Sequence, residues 1–402
     1  LMSKHRIPCD GLWLDIDYLR GYRVFDYSTE HFPNGVPAAI AKVAARGRRV
    51  VPILDPGVKY ESGNPVFEDG AEEGVYCLNP QGKLYTGFVW PGLTVFPDYT
   101  LPEARSWWAG YCADFKLLGF AGAWVDMNDP STGSIDPTPM LFQRGSAPHL
   151  AYRNQYALGM QMATREGFEA AEPARRPFVL SRSGCTGTSR FSAIWTGDSC
   201  SNRAHLRFTI PTALNLGLSG LPFHGNDIGG FAGDTEEGLF IDWTKACFLF
   251  PFCRIHSGIA REQEPWSFGE RALEVIRRYL RLRYKLLPTL YNLWIEHERT
   301  GDPPLRPLLY EYAERVPTED QFLVGESILQ APVLEQIGAR KVVLPGEQMW
   351  WDLRSGELLN PGVYGFECAA HETPMFVRDR SILAALPGVR TDNEKDLRDV
   401  EF

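Results

Sequence analysis

Short apolar segments that run into an ionisable side chain recur along the first two thirds of the sequence. Six of seven such segments end at or next to one, and in the seventh the nearest, Asp198, lies three residues further on. A polar group at the end of a buried strand projects into the loops rather than the core. In a barrel of parallel strands these ends surround one mouth, where such folds place their chemistry. The six residues are Asp15, Asp55, Asp126, Arg182, Asp227 and His256.

The apolar segments alternate with helical patterns, as a parallel sheet requires. Residues 36–46 carry a proline near the start and are followed by Gly47, which are helix signals, and the strand pattern 50–55 comes next. The sequence therefore predicts an α/β fold, a (β/α)8 TIM-type barrel over residues 1–301. A small all-β, sandwich-like domain is predicted over 302–402. Because seven strands are visible instead of eight, the first barrel strand is expected to be missing and to lie upstream.

Two long insertions interrupt this alternation, and a long helix follows it. The insertions cover about 56–102 and 127–150, and the first is rich in Gly, Pro and aromatic residues. Loops of this length in compact domains are usually functional. Apolar residues at helical spacing predict one helix from about 267 to 299, packed against the barrel.

The composition excludes several classes of partner. The net charge is -9 and no run of five basic residues occurs, so neither nucleic acid nor an anionic membrane is indicated. No apolar run reaches 18 residues and no signal segment is visible, which makes a cytoplasmic location the default. The eight cysteines are scattered, so we expect no zinc site and no disulfide framework. We also expect no metal or organic cofactor. Whether the chain forms a homo-oligomer stays open.

Asp126 and Asp198 are the candidate catalytic pair. Cleavage of a glycosidic bond with retention needs two carboxyl groups about 5 Å apart, one to attack the anomeric carbon and one to protonate the leaving oxygen and later activate water. Arg182 can bind hydroxyls and help hold the nucleophile ionised, while His256 and Asp15 offer directional hydrogen bonds. Four aromatic side chains are predicted to wall the apolar face of a sugar: Trp90, Trp124, Trp195 and Phe231.

Five sequence blocks resemble those of glycoside hydrolase family 31, whose members are mostly retaining α-glucosidases. Trp124-Val-Asp126-Met-Asn-Asp129-Pro resembles the family's nucleophile motif, and Trp13-Leu-Asp15-Ile-Asp17-Tyr is similar to its first sugar-binding segment. The region 306–382 resembles the family's proximal β domain. The other three blocks, in the expected order, are Ser181-Arg182-Ser183 to Trp195-Thr-Gly-Asp198, Gly225-Asn-Asp227-Ile-Gly-Gly-Phe231, and Arg254-Ile-His256.

The resemblance implies a role for each of these residues. Asp126 would be the nucleophile and Asp198 the acid/base. Ile16 and Trp124 match the α-glucosidase pattern better than the α-xylosidase pattern. Asp129 departs from the family, which usually has Glu there, and Arg203 stands where Trp is usual. The residues implied to bind the non-reducing sugar are Asp15, Arg182, Asp227 and His256.

The predicted function is an exo-acting α-glucosidase that acts on oligosaccharides or other α-glycosides. The same site would also serve an α-xylosidase, an α-galactosidase or a transglycosylase that passes the glucosyl group to a sugar. A catalytically silent carbohydrate-binding protein is the alternative from another class, and an intact pair of catalytic carboxylates argues against it. The family's amino-terminal β-sandwich is expected to be absent along with the first barrel strand.

Overall fold

A computed structural model describes residues 1–259, 261–312, 319–335 and 338–388. These residues divide between two compact units, one of residues 10–194 and the other of residues 1–9 with the described residues from 195 onward. Strands are present at all seven positions predicted from the sequence. Helices alternate with them, so the α/β class is confirmed.

The first unit contains a parallel sheet whose strands follow one another in chain order. In that sheet β1, β2, β6, β7 and β8 pair in sequence, and the last residue of β8 passes into the second unit. The strands of this unit are β1 (Gly11–Leu14), β2 (Arg49–Leu54), β3 (Val58–Lys59), β4 (Gly87–Val89), β5 (Gly92–Val95), β6 (Ala123–Val125), β7 (Val179–Ser181) and β8 (Ala193–Trp195). Its helices are α1 (Val36–Ala44), α2 (Pro65–Glu72), α3 (Pro102–Leu117), α4 (His149–Tyr152) and α5 (Tyr156–Ala171).

Helices α3 and α5 pack closely against each other. A side chain on Gly167 of α5 would place its Cβ 2.2 Å from the Ala109 carbonyl oxygen, so only glycine allows this approach. The Trp108 indole is fully buried there and donates a hydrogen bond of 2.9 Å to the Thr164 hydroxyl, so its polar atom is satisfied inside the core.

The two predicted insertions are ordered and bonded to each other. In the first, β3, β5 and β4 form an antiparallel sheet; β3 precedes α2 in the chain, and β4 and β5 lie between α2 and α3. The Phe88 N–H donates to the Thr132 carbonyl at 3.2 Å, and the Leu141 N–H donates to the Leu78 carbonyl at 2.8 Å. The segments that break the α/β alternation therefore build one small layer beside the parallel strands.

The second unit begins where β8 ends. The Thr196 N–H donates to the Gly225 carbonyl at 3.1 Å, and β9 (His224–Asp227) then pairs in parallel with β10 (Phe252–Arg254). A large apolar cluster, which includes the fully buried Trp243 and Ile276, forms the core under these strands. The helices are α6 (Arg203–Leu218), α7 (Glu237–Cys247), α8 (Gly269–Lys285), α9 (Leu287–Thr300) and α10 (Leu308–Glu311).

The predicted helix from about 267 to 299 is two helices. Helix α8 ends at Lys285 and α9 starts at Leu287, with Pro288 in its first turn. Proline has no N–H to donate and its ring clashes with the carbonyl four residues earlier, so it kinks or breaks a helix, and here the helix breaks. The apolar spacing correctly predicted helical structure on both sides of Pro288, and the proline determines where one helix ends and the next begins.

The described residues from 305 onward form mainly antiparallel strands, as predicted. One sheet has the order β11-β12-β13-β18-β15-β16 and a hairpin pairs β14 with β17; Val342, Trp350 and Phe376 share the core between them. Residues 313–318, 336–337 and 389–402 of the predicted domain lie outside the described residues. The strands are β11 (Leu305–Arg306), β12 (Phe322–Val324), β13 (Ile328–Gln330), β14 (Ala339–Leu344), β15 (Trp350–Asp352), β16 (Leu358–Leu359), β17 (Gly362–Glu367) and β18 (Met375–Arg378).

Candidate active site

Asp126 directly follows β6 and its carboxylate is held on one oxygen by two donors. Its Oδ1 accepts from the Met127 N–H at 2.7 Å and from Arg182 Nη1 at 2.9 Å. Its side chain is only 13% exposed. Met127 adopts a φ of 54°, a left-handed conformation that is uncommon for a residue with a side chain, and this turn aims its N–H at the carboxylate. A hydrogen-bonded, ion-paired carboxylate favours the ionised form that a nucleophile needs.

Arg182 follows β7 and binds two carboxylates with one guanidinium. While Nη1 contacts Asp126, Nη2 and Nε donate to Asp129 Oδ1 at 3.0 and 3.3 Å. The Ser183 hydroxyl donates to the same Asp129 oxygen at 3.1 Å. The shorter Asp129, which stands where the family has Glu, thus still anchors the arginine. The planar fork of Arg182 suits this double contact, and a lysine would supply only a point charge.

A buried polar network holds the segments that follow β6 and β7. The Asn128 amide donates to the Ser181 hydroxyl at 2.9 Å and accepts from the Ser183 N–H at 3.2 Å. The fully buried Gln161 of α5 donates to the Ser181 hydroxyl and to the Ser183 carbonyl, both at 2.8 Å. Because these bonds converge on Ser181 and Ser183, the network fixes the backbone on both sides of Arg182.

Asp55 is a member of this acidic group that the sequence did not single out as a site residue. It follows β2 beside the strand that ends at Asp126, since Leu54 pairs with Val125. Its side chain is buried and its Oδ1 has no hydrogen-bond partner among the described residues. Burial raises the pKa of the Asp55 carboxyl well above its usual range; Asp126 raises it further and Arg182 opposes both. The strand register was the signal that could have placed it.

The remaining predicted residues of the first unit differ in exposure. Asp15 lies half-buried after β1 and accepts a hydrogen bond from the Ile16 N–H at 2.8 Å, and it adds to the electrostatic field at Asp55. Trp124 is 3% exposed, so a sugar could reach only an edge of its ring. Trp90, in the turn between β4 and β5, is 54% exposed and offers an open ring face.

In the second unit, Asp227 forms a buried ion pair. Its Oδ1 lies 2.8 Å from Arg254 Nε, and both side chains are almost fully buried. The guanidinium also lies 5.4 Å from the Trp195 ring centre. Trp195 is 1% exposed, so the expectation that its ring face walls a sugar does not fit this packing. The three side chains instead form a rigid base under the loops that follow β8 and β9.

Asp198 is exposed on the loop after β8, and that loop is bonded to the next one. The N–H groups of Phe231 and Ala232 donate to the Ser199 carbonyl at 2.7 and 3.0 Å, and the Ser201 N–H donates back to the Ala232 carbonyl at 2.7 Å. The exposure of Asp198 contrasts with the enclosed Asp126 and suits a group that must exchange protons with water.

The loops after β9 and β10 bring Phe231 and His256 together. Their rings are stacked with centres 5.4 Å apart and planes 19° from parallel. Arg203, the departure from the family pattern after Asp198, points elsewhere: it pairs with Asp242 at 2.6 Å and donates to the Leu334 carbonyl. This departure therefore supports packing between α6, α7 and the chain near Leu334.

Neither a cluster of metal-binding side chains nor a membrane-spanning helix occurs in the part of the chain that the structure describes. No group of three or more His, Cys, Asp or Glu side chains is arranged to hold a metal ion there, and the eight cysteines are all free thiols. None of the helices that the structure describes has the length and apolar character needed to cross a bilayer.

The parallel strands with charged residues at their carboxyl ends are those of an α/β barrel, and sequence comparison identifies the family. Residues 1–293 match the Glycosyl hydrolases family 31 TIM-barrel domain and residues 301–383 match the Glycosyl hydrolase family 31 C-terminal domain. The chain belongs to glycosyl hydrolase family 31, which confirms both the predicted family and the barrel.

The similar proteins are longer than this chain. It is 39% identical over 388 residues to Alpha-glucosidase 2 of Bacillus thermoamyloliquefaciens, covering 94% of this chain and 49% of that protein. It is 35% identical to human Neutral alpha-glucosidase AB, covering 98% and 43%. A solved glucosidase II alpha subunit in a Glc1Man2-bound form superposes with a TM-score of 0.92 at 28% identity, covering 97% and 44%. The chain thus spans about half the length of the relatives it matches.

Proposed function

We propose that the protein is a retaining, exo-acting α-glucosidase that releases α-glucose from the non-reducing end of oligosaccharides. The observation that carries this proposal is the carboxylate of Asp126, enclosed at a strand end and held by Arg182 and the Met127 N–H. Such a group is ion-paired, oriented and largely shielded from water, as suits a nucleophile for an anomeric carbon. Membership of family 31 and the names of the relatives support the same reaction.

The proposed mechanism is a double displacement. Asp126 attacks the anomeric carbon while the bond to the leaving oxygen breaks, and Asp198 donates its proton to that oxygen. This leaves a glucosyl ester on Asp126 and a carboxylate on Asp198. Asp198 then takes a proton from water, whose oxygen attacks the anomeric carbon and releases Asp126. Both residues return to their starting protonation states, and two inversions give net retention.

The remaining site residues would bind the sugar. Asp15, His256 and Arg182 present groups for hydroxyl contacts, and Trp90 and Phe231 present apolar ring faces. Ile16 and Trp124 flank Asp15 and Asp126, and the proposal places them at the sugar's edge. Asp227 would bind a sugar hydroxyl through the carboxylate oxygen that Arg254 Nε does not contact, and Trp195 would line the sugar site beside Arg254.

Two alternatives keep different parts of this proposal. An α-xylosidase, an α-galactosidase or a transglycosylase would use the same two carboxylates and differ only in the sugar bound or in the acceptor. A carbohydrate-binding protein without catalysis would bind glucosides and leave them intact. Rates on a panel of p-nitrophenyl α-glycosides separate these possibilities. The cytoplasmic location and the homo-oligomer stay predictions.

The assignment of the two carboxylates is tested by substitution. Asp126→Ala is expected to abolish turnover of all α-glucosides, because no covalent intermediate can form. Asp198→Ala should lose roughly 10²- to 10⁴-fold on substrates with poor leaving groups and less on activated aryl glucosides, since only the former need a proton. Asp114→Ala, at an exposed position of α3, is the control and should keep wild-type kinetics.

Two further measurements check the stereochemistry and the nucleophile. A slow fluorosugar substrate should label the peptide that contains Asp126, and NMR should show the α anomer of glucose as the first product. Azide should restore part of the activity of Asp198→Ala because it replaces base-activated water. A β anomer, or a label on the Asp198 peptide, would overturn the assignment.

A further inference from the structure

We propose that Gln263 is a positioning residue that holds the substrate-binding stack of Phe231 and His256. The Gln263 side chain is 4% exposed and lies after β10, nine residues beyond its end. Its Nε2 donates to the carbonyl groups of Ile228 at 2.8 Å, Gly230 at 3.0 Å and His256 at 3.3 Å. One buried amide therefore ties the loop after β9 to the loop after β10. The inference rests on the proposed function, since it assigns a role within that site.

The chemistry of the three acceptors requires a hydrogen-bond donor at this position. All three are backbone carbonyl oxygens, which only accept, so the side chain facing them must donate. The amide nitrogen has two hydrogens, and the longest of the three contacts shares one of them. A glutamate of the same shape would place carboxylate oxygens against carbonyl oxygens, which leaves buried acceptors unpaired and repels the loops.

The backbone around Gln263 is shaped to receive it. Gly229 has a φ of 94°, and a Cβ there would lie 2.7 Å from Gln263 Nε2 and 2.9 Å from the ring of Phe240. Only glycine leaves room for the amide at this point while the chain turns in the left-handed region. The close fit means that the amide cannot shift to another set of partners without moving the loop.

The hydrogen bonds of Gln263 hold the backbone next to both rings of the stack. Gly230 precedes Phe231, and the third acceptor is the carbonyl of His256 itself. Phe231 in turn donates its N–H to Ser199, next to Asp198. The Gln263 amide touches neither the sugar nor the reacting atoms in the proposed mechanism, so its effect passes through Phe231 and His256 to substrate binding.

Kinetics of Gln263→Glu test this role against a matched variant. The control is Gln330→Glu, because Gln330 is equally buried and its Nε2 donates to the carbonyls of Lys245 at 2.6 Å and Ala246 at 3.1 Å, away from the stack. Gln263→Glu should raise KM for p-nitrophenyl α-glucoside roughly tenfold, with kcat changed less than about threefold, as expected for lost ground-state positioning. Gln330→Glu should lower Tm and leave both constants near wild type. Equal KM changes in the two variants, or none in Gln263→Glu, would overturn the proposal.

Amide hydrogen exchange separates this inference from the proposed function. The N–H groups of Phe231 and Gly258 bond to the Ser199 and Phe231 carbonyls, and their exchange should accelerate in Gln263→Glu but not in Gln330→Glu. If the wild type hydrolyses no α-glucoside, the proposed function fails. The difference in exchange between the two variants would still show that Gln263 holds the two loops together. Unchanged exchange in Gln263→Glu would refute the positioning role whatever the activity.

Discussion

Asp55 and Asp126 follow neighbouring parallel strands, yet their surroundings make them chemically different. Asp126 accepts from Arg182 and a backbone N–H, whereas Asp55 is buried with an unpartnered oxygen. A buried charge without a partner is costly, and the pKa of Asp55 is raised accordingly. One residue type is thus ion-paired at one strand end and buried with an unpartnered oxygen at the next.

Replacing Asp55 with Asn should stabilise the protein at neutral pH. The pKa of Asp55 in the folded protein lies above the unfolded value of about 3.9. The contribution of the protonated carboxyl to stability is therefore fully present below about pH 3.9 and is lost as the pH rises through the folded pKa. Asp55→Asn removes this loss. We therefore expect a higher Tm than wild type at pH 7, with the gain disappearing on acidification toward about pH 4.

Scanning calorimetry at several pH values measures this difference. Asp136→Asn is the control, because Asp136 is exposed and its pKa is lowered by hydrogen bonds from Thr138, so its replacement should bring no gain. Asp55→Asn should also reduce kcat/KM if the buried charge contributes to the field at Asp126. A Tm below wild type at pH 7 would contradict the argument.

At the level of elements, the strands were predictable and the bonds between loops were not. The strand β2 buries five of its six residues, so apolar composition and a charged end located it. The break before Pro288 follows from a single residue and was overlooked because the apolar spacing continues across it. Asp129 and Ser183 bond to each other although they are far apart in sequence, and Gln263 bonds to the carbonyl groups of two loops. The periodic spacing of apolar residues in the sequence does not indicate such contacts.

Gly230 shows how tightly two of these loops meet. Its φ is 85°, and a Cβ there would lie 2.7 Å from the backbone of Ser201, in the loop that carries Asp198. Gly220 has a similar φ of 80° but no atom within 4 Å of a built Cβ. Comparing alanine at the two positions separates the cost of a left-handed backbone from the cost of the clash.

Gly230→Ala should therefore be more harmful than Gly220→Ala. Both substitutions place a side chain in the left-handed region, which costs roughly 1 kcal/mol. Gly230→Ala must also push Ser201 away and displace the Asp198 loop, so we expect a larger loss in the urea unfolding free energy and a lower kcat/KM. Gly220→Ala should keep its kcat/KM. Equal effects of the two variants on stability and activity would show that the loops are not in close contact.

For the whole molecule, the two groups of site residues lie in different compact units. Asp126, Arg182 and Asp15 belong to residues 10–194, whereas Asp198 and His256 belong to the other unit. The proposed double displacement uses one carboxylate from each unit, so under that proposal neither unit alone would catalyse the reaction. Conditions that weaken the folded state are thus expected to reduce activity even where no site residue titrates.

Buried His224 makes the stability of the folded chain depend on pH. It opens β9, is 1% exposed, and neither ring nitrogen has a hydrogen-bond partner among the described residues. Burial lowers its pKa from 6.5 to about 4. Because the folded pKa lies below the unfolded one, the unfolded chain binds a proton first as the pH falls. The contribution of His224 to stability is thus fully present above about pH 6.5 and declines as the pH falls through 4, by roughly 3 kcal/mol in total.

Urea unfolding of wild type and His224→Leu at pH 7, 5.5 and 4 tests this contribution. The difference between the two proteins is informative, because Asp55 titrates with the opposite sign and is common to both. The unfolding free energy of His224→Leu should fall less with acidification than that of wild type, by up to roughly 3 kcal/mol over the range. His371→Leu, at an exposed position, should follow the wild-type profile. Parallel profiles for wild type and His224→Leu would mean that His224 takes up a proton as readily in the folded protein as in the unfolded chain. Burial would then not lower its pKa.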